Sequence, residues 1–344
     1  MKEYYPRDIR NLALIGHATV GKTTLSEAML YSAGETNRLG NIDDGTTISD
    51  YNADEIERKI SISTSLLHCS WKNCKLNILD TPGYSDFIGE VIGTLRVADL
   101  AVIVINSVSG VEVGTESVWK IAEDYRTPRM LFVSRMDKEH ADFDKAMNMA
   151  VERFGNKVLQ VQIPVNAGED FDSIIDLLQM KMVKYEKSGS GKSSLSDIPD
   201  EFKSKAEELR EKIIEMAAEN DDELLEKYFE NGTLSDDEIK LGLRKGLANQ
   251  AIFPVLCGSA SNNIGIHHLL DFVVDSGPAA EAHSVETGKK PGTDQEVKRE
   301  CKVDAPLAAI VFKTVSEAHI GELSFFRVIS GKLNTGQEVL NASR

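Results

Sequence analysis

Residues 16–23 read GHATVGKT and lie between the apolar run at 12–15 and a helix-forming stretch at 22–32. Gly16 and Gly21 let backbone N–H groups turn toward one centre, and a helix that opens there adds its own free amides, so the turn suits an oxyanion. Lys22 can reach terminal phosphates and the Thr23 hydroxyl can ligate Mg²⁺. His17, Ala18, Thr19, Val20 and Thr24 complete the cradle. The chemistry that fits is the binding of a nucleoside triphosphate. A second apolar run, 76–79, delivers DTPGY at 80–84. Asp80 at that point can hold Mg²⁺ through water, and the Gly83 N–H can meet the terminal phosphate. An Asp followed by Pro-Gly is by itself only a turn signal. Behind the glycine-rich turn it reads as the second wall of one phosphate site.

The base is read from SRMD at 134–137, which follows the buried-strand run 130–133 and occupies the place where GTPases carry Asn-Lys-x-Asp. A carboxylate at Asp137 accepts from both the ring N–H and the exocyclic amine of guanine. Adenine offers no such pair of donors, so GTP and GDP are expected and an ATP-driven kinase or motor is disfavoured. Arg135 can lay its guanidinium plane over the purine. Ser134 is shorter than the usual Asn, which predicts a lost amide bond and weaker binding. Farther along, CGSA at 257–260 offers the Ser259 and Ala260 backbone amides to the guanine carbonyl.

Taken in this order, the motifs resemble those of the translational GTPases, elongation factor G in particular. DTPG is followed by SDFIGEV, and SRMDKEHADF carries the family's MD and ADF. QIPVNAGEDFDSIIDLLQMK, residues 162–181, is similar to the opening of the inserted subdomain of elongation factor G. HIGELSFFRVISGKLNTGQEVLN, residues 319–341, is similar to the start of its β-barrel second domain. The resemblance implies a GTPase that works on the ribosome, touching a ribosomal RNA loop with its switch segment and the stalk protein with the insertion. It also implies a catalytic set of Lys22, Gly83 and the residue after DTPG. That residue is Tyr84, where most of the family has a histidine that positions the attacking water; a neutral phenol predicts slow turnover. In ERKISI, residues 57–62, Ser61 takes the place of the family's Mg²⁺-binding threonine and Lys59 that of a glycine. Thr19 stands where many relatives have Asp, and Ala18 where a larger apolar residue is usual. These departures mark a divergent elongation factor G-like relative. Alternatives within the resemblance are a slow or non-hydrolysing GTP-dependent ribosome-binding switch, a release-factor recycler or a tetracycline-protection type.

The elements that must position these residues follow from the patterning. Apolar runs at 9–15, 76–79, 100–105 and 130–133 alternate with helical stretches. The fold class is therefore α/β: a P-loop GTPase domain with a mostly parallel sheet and helices on both faces, an inserted α+β subdomain, then the start of a β-barrel domain. The expected domains are GTP-binding over 1–161 and 251–278, an insertion over 162–250, a linker over 279–304 rich in Gly, Pro, Glu and Lys, and the incomplete barrel over 305–344. Acidic helices are expected at 200–220 and 221–230, a Ser/Gly/Lys-rich loop at 188–196, a closing helix at 264–275 and hairpin strands at 307–312, 323–329 and 338–340. The last stretch is too short to close a barrel.

Of the 344 residues 41% are hydrophobic, enough for a core, and the opening MKEYYPRDIRN is too polar for a secretory signal. The expected setting is cytoplasmic, with no membrane anchor. A net charge of −16 argues against a general nucleic-acid-binding field, though not against local docking on a ribosome. Cys69, Cys74, Cys257 and Cys301 have no CxxC spacing and are expected as reduced thiols without zinc.

Overall fold

A computed structural model describes residues 3–282, 285–317 and 321–342. The GTP-binding unit is built from β1 (Ile9–Gly16), α1 (Lys22–Ser32), α2 (Ala53–Arg58), β2 (Ser65–Trp71), β3 (Cys74–Asp80), α3 (Ile88–Leu95), β4 (Leu100–Asn106), α4 (Val113–Asp124), β5 (Arg129–Ser134), α5 (Phe143–Phe154) and β6 (Val158–Gln160). An insertion follows: β7 (Gln162–Pro164), β8 (Ser173–Asp176), β9 (Lys181–Tyr185), β10 (Ser193–Ser196), α6 (Asp200–Ala218), α7 (Asp222–Asn231) and α8 (Asp236–Ala248). The chain then returns through β11 (Phe253–Cys257) and α9 (Ile266–Ser276). It continues into two hairpins, β12 (Val285–Lys289) with β13 (Glu296–Glu300) and β14 (Ala308–Glu317) with β15 (Gly321–Ser330).

The main sheet has the order β2-β3-β1-β4-β5-β11-β6 and is parallel except at its β2 edge. Strands buried on both faces should read as continuous apolar runs rather than alternating ones, which is why the runs were visible in the sequence. Within β1 the pleat sends Leu12 and Leu14 to the cluster holding α1 and α9, and Ala13 and Ile15 to the cluster holding α3, α4 and α5. All four are fully buried, and truncating one of the larger ones to Ala is worth about 2–5 kcal/mol of stability. β2 turns into β3 through Lys72 and Asn73, both at positive φ (43° and 67°), a two-residue turn whose twist suits a hairpin. The chain moves outward from β1 to both neighbours, β3 on one side and β4 on the other. That reversal opens a crevice at the C-terminal end of β1, where ligands of such sheets bind.

The insertion carries a four-stranded antiparallel sheet, β10-β9-β8-β7, and three helices. Two sequence expectations are revised here. The last four residues of the expected loop at 188–196 are strand β10, and a third helix, α8, follows the two that were expected. Gly242 lets α8 approach α6 so closely that a Cβ there would strike the Ala217 carbonyl. The stretch expected as a plain linker over 279–304 contains the β12–β13 hairpin. The strand expected at 338–340 has no ladder partner among the described residues and is not extended sheet; its residues are exposed, so water can take their amides and carbonyls. His319 and Ile320, the first residues of the barrel-like segment, lie outside the described residues. Among the described residues no helix is long and apolar enough to cross a membrane.

Candidate nucleotide site

Everything at the phosphate end hangs from the crevice above β1. Gly16 leaves the strand at φ 151°, and a Cβ there would sit 2.6 Å from the Val104 carbonyl oxygen, so β4 can lie against the turn only with glycine. Gly21, at φ 99°, closes the turn into α1. Thr19 takes φ 60°, a left-handed conformation that a β-branched residue adopts only under strain. Between these points no described group accepts a hydrogen bond from the backbone amides of residues 17–24; the first bond into the helix runs from Leu25 N–H to Gly21 C=O at 2.9 Å. A concave row of unused donors at a helix N-terminus attracts an anion.

Lys22 is folded over this row. Its ammonium donates to the carbonyls of Gly16 (3.2 Å) and His17 (2.8 Å), and burial lowers its pKa to about 8 against the opposing pull of Asp80 and Asp50. A phosphate would give it the charged partner that two carbonyls do not. The Gly83 backbone closes the cradle from the other side: a Cβ there would strike the Lys22 ammonium and lie 2.7 Å from the Ala18 Cα and His17 carbonyl oxygen.

The three residues expected around Mg²⁺ are brought together. Thr23 Oγ1 and Ser61 Oγ are 3.0 Å apart, and Asp80 accepts from Ser49 Oγ (2.5 Å) and Ser26 Oγ (3.3 Å) through one oxygen. Its other oxygen is buried with no hydrogen-bond partner, and burial raises its pKa. Asp50 stands beside it, with one buried oxygen also unpartnered and its pKa pushed up to about 7 by burial first and Asp80 second. Two adjacent buried carboxylates with spare oxygens are unfavourable unless one takes up a proton or a cation joins them. Among the described residues no three His, Cys, Asp or Glu groups converge as a metal cage. The donor set fits an ion that takes part of its coordination from waters and a phosphate, as Mg²⁺ does.

Neither Ser49 nor Asp50 was singled out from the sequence, because TTISDYNADE reads as a solvated polar loop. Their placement depends on Glu27, a buried α1 side chain that accepts from the Ile48 N–H (2.7 Å) and Ser49 N–H (3.2 Å). Lys59, which stands in place of the family's glycine, takes φ 55° at the end of α2. Its side chain points to solvent and pairs with Asp43 at 3.1 Å, so bulk there meets no obstacle.

At the base end the loops after β5 and β11 are stitched together by Met136 N–H to Gly258 C=O (3.2 Å) and Gly258 N–H to Val133 C=O (3.0 Å). The Asp137 side chain is only 8% exposed; Oδ1 is buried without a partner, and Oδ2 is 3.4 Å from both Ser261 Oγ and Lys138 Nζ. Spare acceptor capacity on a buried carboxylate fits a base that presents two donors. Arg135 passes over Gly21, its Nε 3.8 Å from where a Cβ would stand. Ser134 makes bonds within the protein. Its hydroxyl lies 2.6 Å from the Val20 carbonyl oxygen and 3.1 Å from that of Ile105, so the short side chain still ties the base loop to the phosphate cradle. The two amides expected for the guanine carbonyl are unequal: Ser259 N–H is taken by Ile264 C=O at 3.0 Å, whereas no described group accepts from Ala260 N–H. Tyr84 is 40% exposed at the rim beside Gly83 and is not packed as a core residue.

Residues 7–279 match the family described as Elongation factor Tu GTP binding domain. A crystal structure from Thermus thermophilus is similar to this chain at a TM-score of 0.84 and 30% sequence identity, over 96% of this chain and 47% of that one. The chain thus spans about half the length of that solved relative. The family match takes in the whole crevice, from the turn after β1 to the loop after β11, so sequence likeness and site geometry fall on the same part of the molecule. By that family match the protein belongs to the elongation factor Tu GTP-binding-domain family.

Proposed function

We propose that this chain binds GTP and GDP with Mg²⁺ in the crevice above β1 and hydrolyses GTP on the ribosome as a cytoplasmic translation factor. The observation that carries this reading is the row of unaccepted amides at residues 17–24 facing the Thr23, Ser61 and Asp80 cluster. In it, the amides from His17 to Thr24 hold the phosphates and Lys22 neutralises the terminal one. The Gly83 amide would fix that terminal group, and Thr23, Ser61 and Asp80 would hold Mg²⁺ directly or through water. Bound there, Mg²⁺ would supply positive charge to balance the phosphates. Asp137 takes the two guanine donors, Arg135 covers the ring, Ala260 N–H meets the guanine carbonyl with Ser259 shaping that loop, and Ser134 holds the base loop to Val20. The partners in this reading, taken from the resemblance to elongation factor G, are a ribosomal RNA loop for the switch segment and the stalk protein for the insertion.

A second reading, a GTP-dependent switch that turns over slowly, is favoured by Tyr84. Its exposed phenol has no described hydrogen-bond partner and carries no charge to align water, and general acid–base assistance is worth about 10²–10⁴ in rate. The test is to load the purified protein with GTP and Mg²⁺, with and without ribosomes, remove free nucleotide and identify what stays bound over time. GDP accumulating faster on ribosomes supports the active GTPase. GTP persisting in both supports the slow switch, and retention of neither nucleotide rejects the site.

A further inference from the structure

The β14–β15 hairpin does not merely follow the GTP-binding unit; it reaches into it. Between Val311 and Lys313 the ladder slips, with Val311 opposite Phe326 and Lys313 opposite Phe325, so Phe312 is an extra residue on its strand. A bulge of this kind re-aims the side chains around it. Here the Phe312 carbonyl meets α3 at Gly93, where a Cβ would lie 3.1 Å from its oxygen. Lys313 is turned onto the segment that follows Ser61: its ammonium donates to Ser63 Oγ at 2.5 Å and to the Thr64 carbonyl.

That segment is held by charges from other directions as well. Glu55 accepts from the Ile62 N–H (2.9 Å) and Ser63 N–H (3.0 Å), and Glu90 of α3 accepts from the Thr64 N–H (2.6 Å). Lys313 is the grip that comes from the hairpin. It is half-buried, its pKa is lowered by burial, and Glu90 and Glu55 oppose that shift. A desolvated ammonium bound to a hydroxyl and a carbonyl loses both if the segment loosens. Order at residues 63–64 and seating of the hairpin therefore stabilise each other, a reciprocal coupling. Ser63 is two residues from Ser61, whose hydroxyl already meets Thr23.

Resting on the GTP-binding reading above, we propose that Lys313 is a positioning residue that holds Ser63 and Thr64 so that Ser61 stays beside Thr23, and that it thereby favours the triphosphate over the diphosphate. The Mg²⁺ that Ser61 would help to hold would also balance the charge of the terminal phosphate, which the diphosphate lacks, so the diphosphate's affinity is expected to be far less sensitive to Lys313.

The experiment compares affinities for a non-hydrolysable GTP analogue and for GDP, both with Mg²⁺, in the full chain and in K313M, S63A and R327M. Losing a charge-assisted hydrogen bond should weaken analogue binding about 10-fold in K313M and about 3-fold in S63A, with GDP changed by less than about 2-fold. R327M is the control for a loosened interface, because Arg327 joins the hairpin to Asp99 (2.7 Å) and the Val97 carbonyl (2.8 Å) without touching residues 61–64. It should leave the ratio of the two affinities unchanged. S63A, a small change, keeps the test open if K313M folds poorly. An unchanged ratio in K313M or, where that variant does not fold, in S63A overturns the proposal. So does an equal loss for both nucleotides, or an equal effect of R327M. Wild-type protein that binds neither nucleotide would instead bring down the functional reading itself, and the role of Lys313 with it.

Discussion

The inserted helices and the nucleotide crevice treat polar groups in opposite ways. In the insertion they are used up: Ser235 and Glu238 cap α8 reciprocally, Asp221 accepts from the Leu224 N–H at the start of α7, and Arg210 donates to the Leu177 and Leu178 carbonyls at 3.0 and 2.9 Å. In the crevice they are left over. Amides of residues 17–24 are unaccepted, and one buried oxygen each of Asp50, Asp80 and Asp137 has no partner. Burying a polar group without a partner costs about 1–3 kcal/mol, more when it is charged, so such groups persist where something other than folding retains them. The contrast teaches where to look for binding. It also predicts that substitutions in the two regions separate function from stability.

The largest expected effect is at Asp137. Asp137→Asn keeps the shape but removes the double acceptor; two charge-assisted hydrogen bonds at about 1.5–3 kcal/mol each correspond to a loss of about 10²–10⁴ in GTP affinity. The amide offers a donor to the extra carbonyl of xanthine, so xanthosine triphosphate should gain what GTP loses. Relief of a buried carboxylate should leave the thermal midpoint unchanged or higher. Titration of both nucleotides together with a melting curve checks this, and unchanged preference would remove Asp137 from the base site. Next comes Tyr84→His, expected to raise the rate of GTP hydrolysis on ribosomes about 10²-fold while affinity stays the same. Single-turnover hydrolysis measures it. A rate equal to that of wild type would mean that the water is positioned without this side chain.

Smaller again is Ser134→Ala. The hydroxyl holds the base loop to Val20 at 2.6 Å, so its loss should cost about 1–1.5 kcal/mol, read as roughly tenfold weaker binding of GTP and GDP alike. A Ser134→Asn variant should bind at least as well as wild type. Indifference to Ala would show that the link contributes nothing to the site.

How much of this was legible follows from the same contrast. Motif residues were legible because glycine, lysine and a β-strand-terminal Asp do particular things at particular spacings, and the strands of the parallel sheet because burial on both faces makes them apolar throughout. Glu27, Ser49 and Asp50 were not, since an acid on a helix or a polar loop has the same sequence signature whether it is buried against a neighbour or solvated. The link from Ser134 to Val20 depends on how two loops meet, 114 residues apart in sequence. Lys313 is aimed by a bulge, which leaves no periodicity to detect. By contrast, α8 did carry a signal: Ser235 and Glu238 have capping-box spacing, and Ile239, Leu243 and Leu247 recur every fourth residue. Glycines 242 and 246 weaken the helical reading there, yet they are what lets α8 pack closely.

The smallest effect is expected where polar groups are used up. Ser235→Ala removes a cap whose hydroxyl accepts from the Glu238 N–H and whose own N–H donates to Glu238 at 2.9 Å. The backbone partner survives the substitution but the hydroxyl does not, so about 1 kcal/mol of stability should be lost. Because α8 packs on α6 and α9, the loss should appear in global unfolding as a lower denaturation midpoint, with the dependence on denaturant unchanged. Affinities for GTP and GDP should not move, because the crevice above β1 draws none of its donors or acceptors from this helix. A shift in nucleotide affinity larger than about 2-fold would mean that the insertion and the crevice are energetically coupled, since independent sites add to within about 0.3–0.5 kcal/mol. In that case the separation between a region that binds and a region that only folds would have to be given up.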